Sequence, residues 1–104
     1  ERRELEIIIP RLIRQYRNDS LRRAHQKIKT KLYSLGFEGD NINEVLATFN
    51  LEDYIDEKEN LQKALVKLKK KAKNDPKVLY NKLVIAGYKT SLIKIVMEDV
   101  QDED

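Results

Sequence analysis

In 104 residues there is no cysteine, one histidine, three glycines and two prolines. Each shortage removes a class of function. Without cysteine there can be no disulfide framework and no thiolate metal site, and such usage suits a reducing compartment such as the cytoplasm. Three isolated glycines cannot build a phosphate-cradling loop. The lone His25 follows Ala24 on a basic segment, where it reads as a surface residue, and nothing pairs a nucleophile with a base. No apolar stretch approaches the ~20 residues of a membrane span, since Ile7-Ile8-Ile9 is trivial. A secretory signal would need a basic start followed by a continuous apolar core, and none is present. The expectation is a protein that is no enzyme, holds no cofactor or metal, and has no membrane segment.

What the chain does contain is one helix–glycine–helix unit written twice. Lys31-Leu32, Gly36-Phe37, Ile42 and Val45-Leu46 return as Lys82-Leu83, Gly87-Tyr88, Ile93 and Val96-Met97, every pair 51 positions apart. Upstream, Leu5, Ile8, Ile9 and Leu12 match Leu61, Ala64, Leu65 and Leu68 at a separation of 56. The change from 56 to 51 puts a five-residue length difference after Arg17 and Lys73. Periods of this size mark stacked helical units, none of which can bury its apolar face alone.

Periodicity supplies the elements. Apolar residues at 5, 8, 9, 12 and 16 predict a helix over Leu5–Arg17, kinked at Pro10 or starting there. A second helix is expected from Ser20, as cap, to Leu35, with Leu21, Ala24, Ile28, Leu32 and Leu35 as its buried stripe. Gly36 falls where a left-handed residue closes a helix, with Phe37 folding back on the last turn. Asp40 then caps a short helix carrying Ile42, Val45, Leu46 and Phe49. After a connector over 50–55, a longer helix is expected from Asp56 to Lys73, with acids first and lysines last. Asp75-Pro76 supplies a cap and a first-turn proline for a helix ending at Gly87, and Ser91 starts a final one through Val100. Tyr88 repeats the role of Phe37. No segment alternates with period two for long enough to be a strand, so the fold is all-α.

The net charge of +3 conceals segregation. Arg11 to Lys31 holds eight basic residues against Asp19 alone, and Leu61 to Lys73 holds six lysines and no acid. On the long helix Lys63, Lys67, Lys70 and Lys71 share a face. Arg14, Arg17, Arg22, Arg23, Lys27 and Lys31 form the comparable basic surface earlier. A solvated helix face is the plain account of a lone lysine run. Two such surfaces at equivalent places favour a partner of opposite charge, either phosphate backbone or an acidic protein groove. The scattered tyrosines argue against a base-stacking platform. The second helix of the first unit carries Asn41, Asn43, Glu44 and Thr48 outward and no basic residue, which rejects a helix-turn-helix reader. Asp53, Asp56, Glu57 and Glu59 lack the glycine and alternate-position ligands of a calcium loop and read as helix N-terminal charge.

The unit Lys31-Leu32…Leu35-Gly36-Phe37…Ile42…Val45-Leu46, followed by Tyr54-Ile55-Asp56-Glu57 and the return of the first element at Leu83–Met97, resembles the RecX family of RecA regulators. Departures are Tyr88 in place of phenylalanine, Pro10 within a helix, and Asn60-Leu61 where the family usually has an aromatic–alanine pair. The resemblance implies tandem three-helix repeats forming an elongated, curved, right-angled helical array. It implies a monomeric, cytoplasmic, non-catalytic regulator that binds the RecA filament on single- or double-stranded DNA and restrains filament extension, strand exchange, ATPase and co-protease activity. Autonomous nucleic-acid binding is the alternative. On this alignment residues 1–19 are the last helix of a preceding repeat. Residues 20–74 are a complete three-helix repeat, and 75–104 are two helices of the next plus an acidic tail. Beginning at Glu1 in mid-helix, the chain reads as a fragment of a longer protein.

Overall fold

The computed structural model describes the backbone of residues 1–72 and 75–102, and the side chains of these apart from 72 and 99–102. Lys73 and the acidic tail beyond Glu98 therefore lie outside the described side chains. The elements are α1 (Arg2–Gln15), α2 (Leu21–Ser34), α3 (Gly39–Leu46), a 3₁₀ turn (Leu51–Asp53), α4 (Glu57–Ala72), α5 (Pro76–Ile85) and α6 (Thr90–Asp102). Among the described residues there is no strand. The all-α expectation holds.

The helices gather into two compact units, Glu1–Asp56 and Glu57–Asp104. In the first, α1, α2 and α3 each touch the other two; in the second, α4, α5 and α6 do the same. Divisions at 19/20 and 74/75 would cut each unit after its first helix, separating that helix from the two it packs on. The repeat is visible in burial. Leu5 and Leu61, Ile9 and Leu65, Leu32 and Leu83, Ile42 and Ile93, and Val45 and Val96 are all buried in their own cores. The five-residue difference is largely an extra first turn of α2, for α5 begins at the position equivalent to His25. That added turn, Leu21 to Ala24, is fixed by buried Ser20, whose Oγ accepts the Arg23 N–H at 3.2 Å. Asp75 caps α5 in the same way, accepting the Lys77 N–H at 3.1 Å ahead of Pro76.

Local details depart from expectation in several places: α1 ends at Gln15 and not Arg17, and Phe49 lies beyond α3, which ends at Leu46. α1 neither starts nor stops at Pro10; it runs from Arg2 to Gln15. A missing N–H costs one hydrogen bond, and Leu5 and Ile9 before it with Leu12 and Ile13 after it are buried along one line that holds the helix. Leu35 is not part of the buried stripe. It is the C-cap of α2 and is 52% exposed, because the chain has already begun to turn. Asp40 lies inside the first turn of α3 and the cap position is Glu38, which makes no side-chain cap bond. The capping task falls to Glu1, whose carboxylate accepts the Glu38 N–H at 2.9 Å and the Asn41 side-chain amide at 2.6 Å. A distant carboxylate satisfies a helix N-terminus as well as a local one. Finally, α6 begins at Thr90, one residue before Ser91.

Both glycine closures form as expected. Gly36 and Gly87 have φ of 92° and 97°. Phe37 N–H bonds the Leu32 carbonyl at 3.3 Å while Gly36 N–H bonds that of Tyr33 at 3.0 Å. Tyr88 to Leu83 at 3.2 Å and Gly87 to Val84 at 2.9 Å repeat the pair. This is the double bond set of a Schellman cap, and it delivers Phe37 and Tyr88 onto their respective cores. A Cβ built on Gly36 meets nothing within 4 Å, so the obstacle to a side chain is backbone conformation alone. Gly36→Ala and Gly87→Ala should each lower the unfolding free energy by about 1 kcal/mol in urea melts. Unchanged midpoints for both would refute the closure argument.

Candidate polyanion-binding surfaces

The basic residues of the first unit do not form one surface. α2 turns about 100° per residue, so Arg22 and Lys31 point about 180° apart. What the structure does bring together is a shallow groove of about 570 Å³ lined by Tyr16, Arg23, Gln26, Lys27, Thr30, Lys31 and Ser34. Arg23, Lys27 and Lys31 stand one turn after another along it. Arg14, Arg17 and Arg22 are exposed but do not line it. Arg14 sits on the side of α1 away from its buried line, and Arg17 follows the end of that helix. Of the six basic residues expected on this surface, Arg23, Lys27 and Lys31 line the groove, together with Tyr16, Gln26, Thr30 and Ser34, which were not among the expected residues. The polar stripe at 23, 27, 30 and 34 carried the signal, whereas the Tyr16 contribution depends on the turn between α1 and α2.

Lys27 is fixed from two sides. Its Nζ lies 2.9 Å from Asp19 Oδ2 and 5.6 Å from the centre of the Tyr16 ring. The Asp19 and Lys27 side chains keep 25% and 45% of their accessible surface, so the pair is only partly screened by water. Tyr16 in turn packs on the core of α1, α2 and α3. Ser34 Oγ donates to the Lys31 carbonyl at 2.6 Å, closing the last turn of the groove wall.

In the second unit the lysines behave as their spacing predicts. Lys63, Lys67, Lys70 and Lys71 are all exposed and fall within about 100° of arc on α4. Leu61 and Leu65, buried at 0% and 2%, occupy the opposite side and fix which way the lysines face. One acid lies within the face, for Glu59 pairs with Lys63 at 3.3 Å across one helical turn. Both partners are more than half exposed, so the pair is a weak tie. Glu57 and Glu59 lie in the first turn of α4 and Lys69, Lys70 and Lys71 in its last, matching the macrodipole.

Among the described residues no three acidic, histidine or cysteine side chains are grouped to hold a metal ion, and no helix is long and apolar enough to cross a membrane. His25 stands on the outer side of α2. Burial and the neighbouring Lys29 ammonium lower its pKa from 6.5. The folded state therefore resists protonation that the unfolded chain accepts. Stability from this source is complete above 6.5 and is lost as pH falls from there through the lowered folded value. His25→Gln should flatten the fall in melting temperature on acidification from about pH 7.5 to pH 5, a small effect because the ring is only partly buried. An identical pH profile for the variant would rule the histidine out.

Comparison with protein-family models, curated proteins and solved structures gave no match.

Proposed function

We propose that this chain is a non-catalytic regulator that docks on the RecA–DNA filament and restrains its activity, in the manner of the RecX family. The observation that carries the proposal is the α4 lysine face: four ammonium groups within one arc, held outward by a buried leucine line on the other side. Such a face suits a polyanionic or acidic surface rather than a small substrate, since it is convex and offers no enclosed site. The repeated helix–glycine–helix units, with Phe37 and Tyr88 locked in equivalent places, support the family resemblance. In this reading the protein acts in the cytoplasm as a monomer, without cofactor.

A second reading, autonomous nucleic-acid binding through phosphates, is favoured by the α2 groove. Salt weakens both modes and does not separate them. The deciding experiment is co-sedimentation with RecA, with and without DNA, against DNA alone. Enrichment with RecA filaments beyond that on bare DNA supports the first reading. Binding to DNA that is indifferent to RecA supports the second, and binding to neither removes both.

A further inference from the structure

The α2 groove of the first unit holds a cation fixed from two sides, for Lys27 lies against both Asp19 and the Tyr16 ring. We propose that Arg23, Lys27 and Lys31 form a track for successive phosphates of one nucleic-acid strand, with Asp19 as a resident counter-ion that the strand must displace from Lys27. The inference rests on the nucleic-acid-binding reading above and assigns it a place and a control.

Three observations carry it. The first is spacing. Residues four apart on a helix are separated by about 6 Å along the axis, close to the distance between neighbouring phosphates on one strand. Three cations in register therefore meet three phosphates without bending the strand. The second is the chemistry of the walls. Between the cations stand the donor-bearing side chains of Gln26 and Thr30, and no carboxylate is among the lining residues. Neutral donors beside basic ones suit phosphate oxygens, which accept from both. The third is the state of Tyr16. Lys27 covers its ring at 5.6 Å and the ring is packed on the core, so the face needed to stack on a base is taken. The track reads phosphate and not base.

Asp19 has two opposing effects. By holding Lys27 at 2.9 Å it restricts the rotamers of a long side chain, which reduces the ordering that binding would otherwise require. By its charge it competes with the incoming phosphate. In a half-solvated pair the charge term is modest, so removing it shifts affinity by a few-fold rather than by orders of magnitude. The α5 helix, equivalent to α2, does not repeat the track, because it lacks the turn that bears Arg23 and Val78 stands where Lys27 would be.

The test uses the whole chain and a fluorescein-labelled oligothymidylate, followed by anisotropy across a salt series, with circular dichroism confirming the helical fold of each variant. Lys27→Gln and Lys31→Gln should each weaken binding and each reduce the steepness of log affinity against log salt by about 0.7, the contribution of one phosphate on a single strand. Asp19→Asn should tighten binding about two- to fivefold. A strand of mixed base sequence should bind as the oligothymidylate does. Lys63→Gln with Lys67→Gln, on the other surface, should leave the Asp19→Asn gain intact. No binding by the wild-type chain would overturn the nucleic-acid reading and this inference with it. Binding that ignores Lys27→Gln and Lys31→Gln, or Asp19→Asn that fails to tighten it, would overturn the track alone. Polyglutamate competing as well as the oligonucleotide would assign the groove to an acidic protein and overturn the strand.

Discussion

Leu32→Ala and Leu83→Ala should each lower the unfolding free energy by about 3 kcal/mol, within the range of 2–5 for a fully buried leucine. Both side chains are 0% exposed, each at the centre of its own three-helix core. Each residue also carries the carbonyl that receives the closing N–H of Phe37 or Tyr88. A cavity at that point would loosen the anchor of the chain reversal as well as the packing. Small domains have only ~5–15 kcal/mol in total, so either change should move the urea midpoint far. Leu35→Ala is the control. Sequence periodicity put Leu35 in the same stripe, yet at 52% exposure its truncation should alter stability by no more than about 0.5 kcal/mol. If Leu35→Ala cost as much as Leu32→Ala, the assignment of the closing turn would be wrong.

On the proposed docking to a RecA filament, reversing Lys63, Lys67, Lys70 and Lys71 together to glutamate should abolish inhibition of RecA, the largest functional effect expected of any surface change. Each reversal alters the local charge by two, and a polyanionic partner would then face repulsion where it met attraction. The four side chains are exposed, which keeps their individual contributions to folding small. The reversal still has a structural cost. Lys70 and Lys71 sit in the last turn of α4, where glutamate opposes the macrodipole, and glutamate at 63 would repel Glu59 one turn away. A matched variant with glutamine at all four positions avoids both penalties. Loss of inhibition in the glutamine variant, with unchanged helical content, places the surface in the mechanism. Inhibition by either folded variant at wild-type concentration would remove it. The acidic end from Glu98 would then be tested next.

Several features were legible in the residues before any coordinates. Repetition at 51 positions identified equivalent core sites, since a buried position constrains its side chain wherever the unit recurs. Two glycines marked chain reversals because a left-handed backbone admits few other residues. Ser20 and Asp75-Pro76 announced helix starts through bonds made within three residues. The α4 lysine arc followed from 3.6-residue periodicity, for a helix carries its own coordinate system. All of these depend on neighbours close in sequence.

Only the tertiary structure settled the remainder. It grouped α1 with α2 and α3, and α4 with α5 and α6, because burial area depends on which faces meet, not on where a repeat is counted from. Three-dimensional packing gave the α3 cap to Glu1, 37 residues from the amide it accepts, a pairing that local rules could only assign to Asp40. It divided the basic residues of the first unit, setting Arg23, Lys27 and Lys31 in a groove with Tyr16 and leaving Arg14, Arg17 and Arg22 outside it. And it put Asp19 on Lys27 across eight residues and a turn, so that the one acid in a basic stretch became a partner instead of an exception. Charge can be counted along a chain, but its screening and pairing depend on distance through space.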